Sequence, residues 1–94
     1  MRSSQNTALI EAFANELKAR RNILGISQEE LAFRSQVNRT FIAKLELAKN
    51  QPSLSVLLNI ASGLGVELPE LLGSTLLRYK TSIRLSSSGE KEDE

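Results

Sequence analysis

Ser27-Gln28-Glu29-Glu30-Leu31-Ala32-Phe33-Arg34-Ser35-Gln36-Val37-Asn38-Arg39-Thr40-Phe41-Ile42-Ala43-Lys44-Leu45 is the stretch whose reading decides the fold. Ser27 followed three residues on by Glu30 matches a capping box, in which the hydroxyl satisfies a first-turn N–H and the carboxylate reaches back to the cap. The helix begun there carries Leu31 and Ala32 inward and ends near Ser35, two turns on. Gln36-Val37-Asn38 is a short turn, and Asn38 caps a further helix that starts at Arg39 and turns Ile42 and Leu45 inward. Two short helices joined by three residues, the second capped and polar outside, meet the requirements of a helix-turn-helix. The small Ala32 allows the two helices to cross closely, and Val37, Ile42 and Leu45 fill the space between them.

Working outward, an upstream helix capped by Asn6 or Thr7 runs to about Leu24, with Leu9, Phe13, Leu17 and Leu24 on one stripe. Gly25 stops it after Arg20 and Arg21, whose charges suit a helix C-terminus. Downstream, Pro52 marks a loop, because the residue before a proline disfavours the helical region. Ser53 caps a fourth helix with Leu54, Leu57, Leu58, Ala61 and Leu64 at amphipathic spacing, closed by Gly65. Pro69-Glu70-Leu71-Leu72 opens a short fifth helix. Past Gly73 two continuations are open: Thr75 to Tyr79 extending the helix, or Lys80 to Leu85 forming a short strand at a dimer edge. Ser86-Ser87-Ser88-Gly89 and the acidic end are expected to be disordered. The expected organisation is a flexible arm over residues 1–6, a helix-turn-helix domain over 7–73, and an extension over 74–94 holding a dimer element and the acidic tail. No internal repeat is present.

Composition bounds the chemistry. The 94 residues suffice for one modest core, 40% of them hydrophobic and only 4% aromatic, which suits closely packed small helices. No run approaches the roughly 18 apolar residues of a membrane span, and Met1-Arg2-Ser3-Ser4-Gln5-Asn6 lacks a secretory h-region, so the chain reads as soluble, intracellular and cytoplasmic. With no Cys and no His, thiol nucleophiles, Ser-His triads, disulfides and Cys/His zinc sites are excluded. Carboxylate-only sites remain open in principle, but the acids outside the tail are scattered. No cofactor, no metal and no enzymatic activity are expected. The net charge of +1 conceals an asymmetry: the last five residues carry −3, and the remainder +4 from 11 bases and 7 acids.

The residues Gly25-Ile26-Ser27-Gln28-Glu29-Glu30-Leu31-Ala32, Val37-Asn38-Arg39-Thr40-Phe41-Ile42, Leu45-Glu46 and Pro52-Ser53-Leu54, continued by Ile60-Ala61 and Leu64-Gly65-Val66, resemble the Cro/C1-type helix-turn-helix family of phage repressors, Cro proteins and restriction-modification controllers. The resemblance spans roughly residues 13–72 and four successive helices. It implies an all-α, five-helix lambda-repressor-like DNA-binding domain. Two departures stand out. Gln36 occupies the turn position usually held by Gly, at a cost of about a kcal/mol or somewhat more if φ is positive there. Glu46-Leu47-Ala48-Lys49 replaces the frequent Glu-Arg-Gly-Lys, removing one backbone contact and exposing Leu47.

The resemblance further implies that the helix starting at Arg39 enters the major groove of double-stranded DNA. Arg39, Thr40 and Lys44 share a face and are the candidate base readers, with Asn38 beside them, since Arg and Lys reach guanine O6 and N7. Outside such a motif, a face of this kind is an ordinary solvated one. Gln28 matches a family Gln that binds backbone phosphate, aided by the amides of its helix N-terminus; Phe41, Lys49 and Asn50 are flanking phosphate candidates. Arg21 and Glu46 take the positions of a structural ion pair. Val66, Leu68, Leu71, Leu72, Leu76 and the neighbouring Leu77 are surplus to a small core and form the candidate dimer interface. The expected function is therefore a homodimeric, sequence-specific transcriptional regulator on a pseudo-palindromic operator. The alternative is a protein-interaction module with a second protein partner, such as an antitoxin or adaptor. At this length no separate effector or cleavage domain is expected.

Overall fold

The computed structural model describes the backbone of residues 5–93 and the side chains of 5–86. Within them lie five helices: α1 (Thr7–Leu24), α2 (Gln28–Ser35), α3 (Arg39–Glu46), α4 (Leu54–Leu64) and α5 (Leu68–Asp93). Four starts are capped as their sequences dictate. Asn6 Oδ1 accepts from Leu9 N at 3.0 Å, Ser27 Oγ from Glu30 N at 3.0 Å, Asn38 Oδ1 from Phe41 N at 2.8 Å and Ser53 Oγ from Val56 N at 3.2 Å. Only half of the expected capping box forms, because the Glu30 carboxylate accepts from Arg34 Nε at 3.0 Å.

The helix ends share one device. Gly25, Gln36 and Gly65 adopt left-handed geometry at φ 71°, 61° and 74°. In each case the next N–H bonds back five residues: Ile26 to Arg21 O, Val37 to Ala32 O and Val66 to Ala61 O. Ile26, Val37 and Val66 then pack against the core, as the apolar residue after such a stop commonly does. Ala48 repeats the geometry after α3 at φ 60°, with Lys49 N bonded to Lys44 O at 2.9 Å.

The core is Phe13, Leu17, Leu31, Ala32, Ile42, Leu45, Ile60, Ala61, Leu64 and Leu71. α1 packs chiefly on α5, and α2 on α4, with α3 held between α2 and α1. Gly63 makes the α2–α4 approach possible: a Cβ there would stand inside van der Waals contact with Ser35 Oγ and 3.2 Å from Arg34 Cβ. Ser35 Oγ is buried and, among the described residues, has no hydrogen-bond partner.

Several expectations need correction. Leu24 is exposed, since Ile26 and the Arg21 guanidinium close that end of the core instead. α4 is apolar nearly all round, so its sequence allows two stripes. The buried one runs through Ile60, Ala61, Gly63 and Leu64, leaving Leu54 74% and Leu58 58% exposed. Leu71, placed in the candidate dimer interface, is fully buried within its own chain, and Val66 and Leu68 pack on the same core. Leu72 and Leu76 border a groove shared with α4, whereas Leu77 faces the opposite groove, beside α1.

α5 is not short. It passes through both the 75–79 and the 80–85 stretches as helix, so no strand forms there, and it continues to Asp93 where no regular structure was expected. Once nucleated on the core at Leu71 and Thr75, a helix gains a backbone bond for each residue added. Residues 1–4 of the expected arm, and the side chains of the acidic tail, lie outside the described residues; Asn6, at the arm's end, caps α1 and donates from Nδ2 to Tyr79 Oη at 3.0 Å. Among the described residues no single helix is long and apolar enough to cross a membrane.

Candidate nucleic-acid interface

α3 is anchored from beneath. Ile42 and Leu45 are fully buried and Glu46 is 6% exposed, so the orientation of the helix is determined by its core face. The opposite face presents Asn38, Arg39, Thr40 and Lys44, all exposed. Asn38, Thr40, Phe41, Lys44 and Asn50 line one shallow depression of about 240 Å³, with Arg39 free on the surface beside it. Five of the eight candidate contact residues thus meet in one place. The Asn38 carbonyl is committed to its cap, leaving its amide as the donor available outward. Phe41 departs from its expected role: its N–H is taken by Asn38 and its ring packs on the core, so it holds no donor for a phosphate.

Lys49 is exposed where the chain leaves α3. Leu47 is exposed too, as its place in the altered Glu-Leu-Ala-Lys stretch implies. Gln28 stands apart from the depression, at the first turn of α2, and its Nε2 donates to Glu46 Oε1 at 3.0 Å.

That bond belongs to a network behind the interface. Arg21 grips Glu46 bidentately, Nε to Oε2 at 2.6 Å and Nη2 to Oε1 at 3.0 Å, and its Nη1 donates to Ile26 O at 2.8 Å. Burial pushes the Glu46 carboxyl up, but the bonds from Arg21 and Gln28 outweigh it and hold the pKa below the ordinary 4.5. The Arg21 guanidinium is raised by the Glu46 hydrogen bonds against an opposing burial effect. The expected structural pair is therefore present, and it ties α1, α2 and α3 together beneath the exposed face.

A second network was not foreseen. Glu16, buried on α1, accepts from Arg20 and from Arg78 Nε, the latter at 2.7 Å, while Arg20 also reaches Ser74 Oγ at 2.9 Å and Glu70 at 3.5 Å. It clamps α1 to α5. The signal was faint: Glu16 and Arg20 are four apart, but their partners lie 50 or more residues away.

Comparison with known proteins agrees with this geometry. The helix-turn-helix family profile matches residues 17–71. The control protein C.SmaI of Serratia marcescens is 37% identical over 62 residues, 66% of this chain and 74% of that protein. The immunity repressor of Bacillus phage phi105 is 29% identical over 76 residues, covering 81% of this chain but only 53%, about half, of the repressor. The crystal structure of the restriction-modification controller C.AhdI from Aeromonas hydrophila superposes with a TM-score of 0.64 at 34% identity, over 66% of this chain and 94% of that one. The proteins sharing this profile are regulators rather than enzymes. With more than half its length inside the profile, the chain belongs to the Cro/C1-type helix-turn-helix family of regulatory DNA-binding proteins.

Proposed function

We propose that the chain is a homodimeric, sequence-specific transcriptional regulator whose α3 lies in the major groove of a pseudo-palindromic operator. One observation carries the reading: the depression at the start of α3 gathers Asn38, Thr40, Lys44 and Asn50 on a helix whose other face is locked into the core. Arg39 reads guanine through its bidentate fork, with Thr40 and Lys44 at neighbouring edges and the Asn38 amide alongside. Gln28, steadied by Glu46, offers its second amide N–H to a phosphate, and Lys49 and Asn50 flank the groove.

The second copy is met through α4. Residues 50–66 contain no charged side chain, so a two-fold contact there opposes no charge to its own image. Leu54 and Leu58 stand exposed beside an apolar groove bordered by Leu57, Leu72 and Leu76. The two recognition helices would then fall about 34 Å apart, one turn of DNA. The named relatives, a control protein and an immunity repressor, fit a cytoplasmic controller or prophage-type role for this chain.

Footprinting on the DNA flanking its own gene tests the reading. A protected inverted repeat is expected, and uniform protection without sequence preference contradicts it. Lys49→Ala is expected to weaken binding to all sequences alike and to lower the salt slope by about 1.

A second reading, a protein-interaction module such as an antitoxin or adaptor, is favoured by one observation: Leu77 and Leu85 are each 69% exposed on α5. The two roles are compatible on one chain.

A further inference from the structure

The depression at the start of α3 is lined by Asn38, Thr40, Phe41, Lys44 and Asn50, and among the described residues no acid borders it. Its polar groups divide unevenly between donors and acceptors. Lys44 donates only, as does Arg39 on the surface beside it. Asn38 is made one-sided by its cap. Its Oδ1 accepts from Phe41 N at 2.8 Å, in the first turn of α3, so Nδ2 alone is left for a ligand. The bidentate pairing by which an Asn reads adenine N6 and N7 uses both ends of the carboxamide at once and is lost here. Cytosine fares no better at this position, because it brings an N4 donor against the Nδ2 donor.

Phe41 supplies the other half of the discrimination. It is half-buried, packed on the core while also bordering the depression with Asn38. With its N–H taken by the cap, its side chain offers a base only an apolar surface. Of the four major-groove edges, thymine's alone joins a lone acceptor, O4, to a methyl group. Guanine presents acceptors without a methyl, and adenine and cytosine each present an amino group. We propose that the base facing the depression is thymine, its O4 accepting from Asn38 Nδ2 and its methyl seated against the Phe41 ring. This contact rests on the DNA-reading role proposed for α3 and adds to it: Arg39 reads guanine, while Asn38 and Phe41 specify a thymine in the same half-site. Thr40 and Asn50 retain acceptors, so the discrimination is confined to the base that faces Asn38.

The test uses the full chain and synthetic duplexes of the inverted repeat that it enriches from a randomised pool. Each half-site thymine is replaced in turn, in both halves, by deoxyuridine, which lacks only the methyl. It is also replaced by 5-methyldeoxycytidine paired with guanine, which keeps the methyl and exchanges O4 for an amino group. At one position deoxyuridine should weaken binding about fourfold per half-site, the worth of one buried methyl, and 5-methyldeoxycytidine by about tenfold or more. Asn38→Ser keeps a capping hydroxyl but deletes the amide. It should bring thymine and 5-methyldeoxycytidine within about twofold of each other there, with the deoxyuridine penalty intact. Phe41→Ala should erase that penalty. Because the ring also packs on the core, the base replacements against unaltered protein decide the matter if this variant does not fold. A selected half-site without thymine, or full tolerance of deoxyuridine at every thymine, would overturn the assignment while sequence preference through Arg39 stands. So would a thymine preference undiminished in Asn38→Ser. Enrichment of no common sequence would instead refute the DNA-reading role itself, and the thymine contact with it.

Discussion

Replacing Glu46 with Ala removes the acceptor on which three helices converge. The Arg21 and Glu46 side chains are only 15% and 4% exposed, so the pair is largely withdrawn from water. After the substitution Arg21 keeps the single carbonyl of Ile26, and Gln28 Nε2 loses the carboxylate oxygen it donates to at 3.0 Å. Breaking a buried pair by deleting one partner typically costs about 3–5 kcal/mol. A domain of this size holds roughly 5–15 kcal/mol in total, and each kcal/mol shifts its Tm by about 4–8 °C. Glu46→Ala should therefore lower Tm by about 12–40 °C in a circular-dichroism melt at neutral pH. Arg21→Met combined with Glu46→Leu removes both charges and should recover most of the loss. A deficit below about 1 kcal/mol for Glu46→Ala, the value of an exposed pair, would refute the reasoning, as would a double variant no better than the single. The pH dependence has a definite sign. Glu46 is held below 4.5 by Arg21 and Gln28 against burial, and Glu16 below 4.5 by Arg78 and Arg20 against burial. Carboxyls depressed in the folded state stabilise it fully above their unfolded value near 4.5, and that contribution is lost as pH falls through the lower folded values. Wild-type Tm should thus decline below about pH 4.5, and more shallowly in Glu46→Ala.

Other outcomes follow from single positions. Gln36→Gly and Ala48→Gly, at φ 61° and 60°, relieve about 1–2 kcal/mol of left-handed strain each and return part of it as unfolded-chain entropy, for a net gain of about 0.5–1 kcal/mol. A lower urea midpoint would contradict this. Gly63→Ala drives a methyl into Ser35 Oγ and should cost about 1–3 kcal/mol by urea titration, with relief in the Ser35→Gly background; an unchanged midpoint would show that α2 and α4 separate freely. Leu54→Glu with Leu58→Glu should yield a folded monomer by sedimentation, with weakened operator binding. A dimer that survives both changes would move the two-fold contact away from α4.

Local signals carried most of the fold. Asn6, Ser27, Asn38 and Ser53 each specify a helix start through one short side chain, and all four bonds are present. Gln36 was legible as a strained turn through the family resemblance, which marks its position as one usually held by Gly, and φ there is 61°. What depends on distant partners was not legible. α4 has apolar residues over most of its circumference, with Ser55, Asn59 and Ser62 on the remaining side, and its packing on α2 decides which of the apolar ones are buried. Leu71 reads as a surface leucine in a short helix until α5 is seen packing on α1. The Glu16 clamp needs residues from opposite ends of the chain. At the interface, the family resemblance singled out Arg39, Thr40 and Lys44 on a face that residue type and spacing alone would leave as an ordinary solvated one, whereas the tether from Gln28 to Glu46 and the commitment of Phe41 to the core emerge only from their neighbours.

Selection of bound duplexes from a randomised DNA pool, run in parallel with wild-type protein and Arg39→Ala, tests the central claim most directly. The wild type should enrich an inverted repeat with half-site centres about one helical turn apart. Arg39→Ala should lose preference at one base pair in each half-site, a deficit of about 1–3 kcal/mol confined to that position. Enrichment of no common sequence by the wild type, or an equal loss on every sequence for Arg39→Ala, would contradict a base-reading role for α3.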